Sequence, residues 1–169
     1  FPPVLFDFGA VDALPAELVA RGVSRPLVIT DPGLSALGIV DRLISAFPAG
    51  AEVAVFDGIP PNPTIGGIEG ALAIYRDRGC DGIVALGGGS VLDSGKALRV
   101  AATHPGPIID YLRDPSKITA DDAPYITIPT TAGTGAEVTF GGGIHPEPGA
   151  HQLGIRSPHV KPDLAICDP

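Results

Sequence analysis

The stretch Ile83-Val84-Ala85-Leu86-Gly87-Gly88-Gly89-Ser90 constrains this chain more than any other, because an apolar run passes directly into consecutive glycines. Apolar residues then recur at Val91, Leu92, Leu98 and Ala102, so the pattern predicts a buried strand, a tight turn and a helix. A turn of this kind suits an anion. Glycine lets the backbone approach closely, while the free N–H groups and the positive dipole end of the helix supply the attraction. A purely structural reading stands beside it: Ser90 with Asp93 fits a capping box, and Lys96 can pair with Asp93 one turn on. Two familiar phosphate motifs do not match. The fingerprint G-x-G-x-x-G needs glycine where Leu92 stands, and the P-loop needs glycine at the place of Ser90 and a hydroxyl at that of Ala97.

The remainder of the chain repeats the strand-then-helix rhythm. Val4-Leu5-Phe6, Pro26 to Thr30, Val53 to Phe56, Ile83 to Leu86, Tyr125 to Ile128 and Leu164 to Cys167 read as strands. Several run apolar without alternation, as strands covered on both faces do. Between the early strands lie helices: Asp12 to Ala20 with Leu14, Leu18 and Val19 inward, and a segment with Leu37, Val40, Leu43, Ile44 and Phe47 at helical spacing. A third, Ile65 to Arg78, carries Ile68, Leu72 and Tyr75 on one face behind a Thr64 cap. This order predicts an α/β, Rossmann-like, mainly parallel sheet with helices on both faces, formed as one domain over residues 1–169.

Two further stretches fall at strand ends. Asp31-Pro32-Gly33 follows the second strand, where a carboxylate can accept from a ribose 2′-OH and repel a 2′-phosphate; the alternative is a turn or cap residue. Pro129-Thr130-Thr131-Ala132-Gly133-Thr134-Gly135-Ala136-Glu137 offers hydroxyls and bare backbone at another strand end, with Thr134 and Glu137 also fitting a capping box. Asp57 to Thr64 is a proline-stiffened loop, Asp114 to Pro124 a polar, solvated excursion, and Gly141 to Gly149 a hairpin-like loop.

The totals exclude several classes. A net charge of -8 and a pI near 4.7 leave no basic stripe for nucleic acid or an anionic membrane. No apolar run is long enough to span a bilayer and no leader pattern opens the chain, so the expectation is a cytoplasmic protein without membrane segments. Cys80 and Cys167 are isolated and read as buried free thiols. His145, His151 and His159 lie among Pro146, Pro148 and Pro158 at spacings that match no standard ligand set, so no metal site is expected from them. The chain opens on Phe1 and ends just after an apolar strand, which reads as a cut in mid-protein.

Taken together, Gly58-Ile59-Pro60-Pro61-Asn62-Pro63-Thr64, Gly87-Gly88-Gly89-Ser90 with Asp93 and Lys96, the string Ile128 to Thr139, and Lys161-Pro162-Asp163 with Cys167-Asp168-Pro169 resemble the iron-containing alcohol dehydrogenase family. The resemblance covers nearly the whole chain. It implies an N-terminal dinucleotide-binding domain, with the family's C-terminal all-helical metal domain, and its Fe2+ or Zn2+ ligands, absent from these residues. It also implies NAD rather than NADP as the coenzyme, a small alcohol or aldehyde as substrate of the full enzyme, and a homodimer. By carry-over, Gly88, Gly89 and Ser90 would hold the pyrophosphate, with Asp93 of the same motif among the coenzyme-binding residues. Asp31 would meet the adenosine ribose, and Asn62, Thr130, Thr131 and Thr134 would line the rest of the cleft. Gln152 stands where the family usually has a lysine as a further coenzyme contact. No catalytic residue is expected within the chain, which alone would lack alcohol dehydrogenase activity. A non-catalytic nucleotide or phosphate module, or part of a maleylacetate-reductase-like enzyme, are the alternatives.

Overall fold

The structure, a computed structural model, describes residues 1–121 and 123–169. Strands β1 (Val4–Phe6), β2 (Pro26–Ile29), β3 (Ala54–Phe56), β4 (Gly82–Gly87), β5 (Tyr125–Pro129) and a late strand, Leu164–Cys167, build one six-stranded sheet. The chain threads helices α1 (Leu14–Ala20), α2 (Pro32–Ala36), α3 (Ile39–Ser45), α4 (Ile65–Asp77), α5 (Gly89–Thr103) and α6 (Ile108–Arg113) between them. A separate antiparallel hairpin pairs β6 (Gly141–Ile144) with β7 (Leu153–Arg156), which makes the late strand β8. The order across the sheet is β1-β8-β5-β4-β2-β3, and every adjacent pair is parallel. The doubly covered parallel sheet expected from the strand pattern is therefore present.

Side chains alternate between the two faces of a strand, so one apolar run feeds two cores. Leu27, Ile29, Ile83, Ala85 and Tyr125 point to one face, where α4, α5 and α6 supply Ile68, Leu98 and Leu112. Val28, Val84, Leu86, Ile126 and Ile128 point to the other, where α1 and α3 supply Leu14, Leu18, Val40 and Leu43. A fully buried leucine or isoleucine of this kind contributes about 1.5–3 kcal/mol.

Three expectations need correction. Val19 is 73% exposed, because α1 ends one residue later and shows the sheet only its Leu14 and Leu18 stripe. The helix expected across Leu37 to Phe47 is two helices: Gly38 takes φ 73, a left-handed value that breaks the ladder and leaves Leu37 76% exposed. The excursion from Asp114 to Pro124 is not wholly solvated. Ile118 and Ala123 are buried, and the Asp121 carboxylate meets buried Arg99 of α5 at 2.8 Å, with Asp163 at 3.3 Å from the same guanidinium. A pairing across 22 residues carries no local signature in the sequence. Asp122, in the same excursion, lies outside the described residues. The region from Gly141 to Gly149 is half of a true hairpin whose second strand begins at Leu153. Cys80 and Cys167 are free, the first buried and the second half-buried, and burial raises both thiols above their ordinary range.

The helix after β2 covers one face of the sheet and the helix after β4 covers the other, although β2 and β4 are neighbours. The crossovers part there, opening a crevice at the C-terminal ends of those two strands. Buried Thr30 closes its floor by donating its hydroxyl to the Leu86 carbonyl at 2.8 Å. Helix α5 sits tight on the sheet because Gly95 faces the Tyr125 ring: a Cβ there would lie 2.6 Å from the ring carbons, and the Tyr125 hydroxyl donates to the Leu92 carbonyl at 2.6 Å. Gly95→Ala should therefore destabilise the fold by about 1–3 kcal/mol through overpacking, whereas Gly154→Ala, with open space around its Cβ, should stay within about 0.5 kcal/mol of the parent. Urea unfolding monitored by circular dichroism measures both.

Candidate functional site

The crevice between β2 and β4 opens into a cleft of about 890 Å³. Asp31 to Leu34 form one side, Gly88 to Val91 the floor, Thr130 and Thr131 the far rim, and Leu37, Ile39, Pro60 and Pro61 an apolar wall. Its size and mixed lining suit a small-molecule ligand with few fixed polar contacts.

The floor follows from the glycines. Gly88 is the N-cap of α5 with extended backbone, and Gly89 and Ser90 are its first two helical residues. Their N–H groups have no acceptor within the helix, since hydrogen bonding starts with Val91 and Leu92, whose amides reach the Gly88 carbonyl at 3.0 and 3.1 Å. The Ser90–Asp93 capping box is not formed. Ser90 instead donates its hydroxyl to the Pro61 carbonyl, latching the proline-rich loop to the glycine turn. Its oxygen remains able to accept.

The threonine rim meets the same turn. Thr130 N–H bonds the Gly87 carbonyl at 3.0 Å, extending the β4–β5 ladder past the strand ends. A Cβ on Gly88 would stand 3.4 Å from the Thr131 hydroxyl, and one on Gly89 would stand 2.8 Å from the Thr134 methyl. The two loops converge, and bare backbone at Gly89 is what allows the approach. Thr134 starts no helix. Its hydroxyl accepts from the Ala136 N–H at 3.2 Å, so the capping box with Glu137 is replaced by a local turn.

Asp31 plays the cap role that the sequence allowed: its Oδ1 accepts from Gly33 and Leu34 N–H at 2.9 and 3.0 Å. Among the described residues no hydrogen bond engages its Oδ2, so the cap leaves one oxygen for a ligand. Asp31 is also the charged side chain of the lining, which means attraction for an anion must come from the α5 amides and dipole. These residues fit a dinucleotide: bare amides for a diphosphate, a carboxylate for a ribose, and an apolar wall for a base.

Not every expected residue lines the cleft. Asn62 is exposed on the proline-rich loop beside Pro61, and Thr134 lies over Gly89 beyond the cleft itself. Asp93 turns towards the hairpin, where Oδ1 meets Lys96 Nζ at 3.0 Å and Oδ2 accepts from Gly143 N–H at 3.1 Å. Lys96 is fully buried, and burial draws its ammonium below the ordinary lysine range against the opposing pull of Asp93. Gln152 lies on Gly143, against the place a Cβ would take. His145 bonds the Ala150 carbonyl through Nδ1 at 2.7 Å. Among the described residues, no group of three His, Cys, Asp or Glu side chains is gathered as a metal ion would need. The sequence reading missed Thr30 and the apolar wall, because what brings Leu37 and Ile39 opposite Pro60 is the sheet order and no local pattern.

Comparison with known proteins agrees with this geometry. A family model described as iron-containing alcohol dehydrogenase matches residues 2–169. The 4-hydroxybutyrate dehydrogenase of Cupriavidus necator is 45% identical over 166 residues, covering 96% of this chain and 43% of its own. The choline dehydrogenase of Bacillus subtilis is 38% identical over 164 residues, covering 95% and 41%. The crystal structure of sulfoacetaldehyde reductase from Bifidobacterium kashiwanohense in complex with NAD+ superimposes with a TM-score of 0.91 at 30% identity, covering 99% of this chain and 44% of that one. The chain thus spans less than half the length of these relatives.

The Ser90 latch can be probed without any ligand. Ser90→Ala should cost about 1 kcal/mol of stability, the net worth of one hydrogen bond, and should speed proteolytic cleavage in the Asp57 to Thr64 loop. Unchanged cleavage would show that the prolines alone hold that loop.

Proposed function

Because the chain belongs to the iron-containing alcohol dehydrogenase family, we propose that residues 1–169 form one unit that binds a nicotinamide dinucleotide, NAD in preference to NADP. The observation that carries this reading is the pair of bare amides at Gly89 and Ser90, set at the parting of the crossovers between Asp31 and the threonine rim. The pyrophosphate sits on the N-terminus of α5, held by the amides of Gly88, Gly89 and Ser90. Asp31 Oδ2 accepts from the adenosine ribose 2′-OH, and its charge repels a 2′-phosphate. The adenine lies against Leu37, Ile39, Pro60 and Pro61, while Thr130 and Thr131 face the diphosphate and Thr134 braces Gly89 beneath it, with Asn62 at the mouth. Asp93 belongs to the site through what it holds in place.

When bound, the coenzyme accepts or donates a hydride, and the full-length protein acts on a small alcohol or aldehyde. This chain's residues bind and orient the coenzyme and narrow the access of water to the diphosphate. Its described residues gather no set of ligands that fits the iron of the family's name. The 169 residues by themselves are read as binding coenzyme without oxidising alcohols. The free thiols suit a reducing compartment, and the cytoplasm is the location this reading favours.

A homodimer is the assembly we favour. Among the described residues β1 pairs with β8 alone, so its outer edge is open, and Val4 and Phe6 on the strand and Phe8 in the turn after it are exposed. Unpaired strand edges with exposed aromatics tend to acquire a partner, and a second copy offers the same edge. Sedimentation should show a dimer that Phe6→Glu with Phe8→Glu disrupts; a monomeric parent would overturn this.

Titration of NADH fluorescence tests the coenzyme reading: saturable binding is expected, and no binding at millimolar NADH overturns it. Asp31→Gly should relax discrimination against NADPH while costing only about a few tenths of a kcal/mol in capping. Asp31→Asn, which keeps an acceptor for the cap and loses the charge, should relax it too. Unchanged preference in both would leave Asp31 as a cap alone.

A further inference from the structure

Lys96 is the most completely enclosed charge in the described chain. Its Nζ donates to Asp93 Oδ1 at 3.0 Å, to the Thr139 hydroxyl at 3.1 Å and to the Gly141 carbonyl at 2.6 Å. An ammonium has three N–H donors, and here each has an acceptor. Asp93 completes the grip by accepting from the Gly143 N–H. The run Gly141-Gly142-Gly143 permits this closeness, since a Cβ on Gly142 would stand 2.6 Å from the Asp93 carboxylate. Nothing in the coenzyme reading uses this network directly, yet a buried ion pair with every donor satisfied costs desolvation that a structural methionine would avoid.

What the network holds is the far end of the threonine-glycine loop. The loop leaves the sheet at Thr130, where it is tied to the Gly87 carbonyl, and its middle, Thr131 to Thr134, is exposed. It returns at Glu137, whose carbonyl accepts from buried Thr127 at 3.2 Å, and is then seized by Lys96 at Thr139 and Gly141. Both ends of the loop are thus referred to the β4–α5 unit, at Gly87 and at Lys96, and the glycine turn lies between those two points of the same unit.

We propose that Lys96, with Asp93, is a positioning residue for the coenzyme seat: it sets the height of Thr131 and Thr134 over Gly88 and Gly89, so that the diphosphate meets hydroxyls and amides together. The inference rests on the coenzyme reading above. It assigns Lys96 no contact with the ligand; the lysine acts through Thr139 and the Gly141 carbonyl.

The test compares NADH with AMP, which carries the adenosine half that lies on the Asp31 side of the cleft and lacks the diphosphate bridge. Lys96→Met keeps the length of the side chain and removes the ammonium. It should weaken NADH about tenfold or more while AMP affinity changes by less than about twofold. Thr139→Val removes one partner and leaves the ion pair, so it should weaken NADH by a smaller factor in the same direction. Should Lys96→Met fail to fold, Asp93→Asn with Lys96→Met removes both charges and carries the same expectation, with Thr139→Val as the second measure. Limited proteolysis should also cut faster between Thr130 and Thr139 in the variants. Equal affinities for NADH in parent and variants, or an equal loss for NADH and AMP, overturns the proposal. A parent protein that binds AMP and NADH equally poorly overturns the coenzyme reading itself, and the inference with it.

Discussion

A parallel sheet that must be covered on both faces is the constraint on which the rest of this structure depends. Leu27 and Ile29 cannot be buried by the helices that bury Val28, because the strand sends them to opposite faces. The chain must therefore lay helices on each side, and somewhere in the sheet two neighbouring strands must send their helices opposite ways. That place is between β2 and β4, and a cleft opens there because neither helix can cover the gap between them. The site is thus a consequence of how the core is closed.

The same geometry explains why a strongly acidic chain can offer a seat to an anion. The cleft lining carries Asp31 as its charged side chain, so Coulomb attraction from lysine or arginine is not the means. Attraction instead comes from amides that α5 leaves unpaired at its start and from the aligned peptide dipoles behind them. Those charges are part of the backbone and do not need to be ordered on binding. The cation that does lie close, Lys96, is spent on structure: its ammonium faces Thr139 and Gly141 and not the open cleft.

Latches recur around the glycine turn, each made by a polar side chain that donates to a carbonyl of another element. Ser90 ties the proline-rich loop to the turn, Thr30 ties β2 to β4 beneath it, and Lys96 ties the hairpin to α5 beside it. Each removes freedom from a wall of the cleft before a ligand arrives, which lowers the entropy a ligand would otherwise have to offset. Further along α5, Gly95 packs the helix against Tyr125 of the sheet and Arg99 pairs with Asp121 of the loop before β5. The turn is consequently the end of a rigid body.

The parallel sheet, its strands and the glycine turn were legible in the sequence because each rests on local order: apolar runs, helical spacing and glycines in succession. The cap at Thr64 and the pairing of Lys96 with Asp93 were legible for the same reason, their partners being three residues apart or nearer. What the sequence could not disclose was where local alternatives would settle. Ser90 and Thr134 both matched a capping box and neither forms one, because the N-cap of α5 is Gly88, which leaves Ser90 inside the helix with its hydroxyl on Pro61, and because no helix starts at Thr134. Only the tertiary structure decided that Asp31 keeps one oxygen free while capping, that Leu37 faces a cleft, and that Lys96 holds a loop 43 residues away. Contacts of that span depend on the order of strands across the sheet, which is set by the burial of all of them at once and is written in no single stretch of chain.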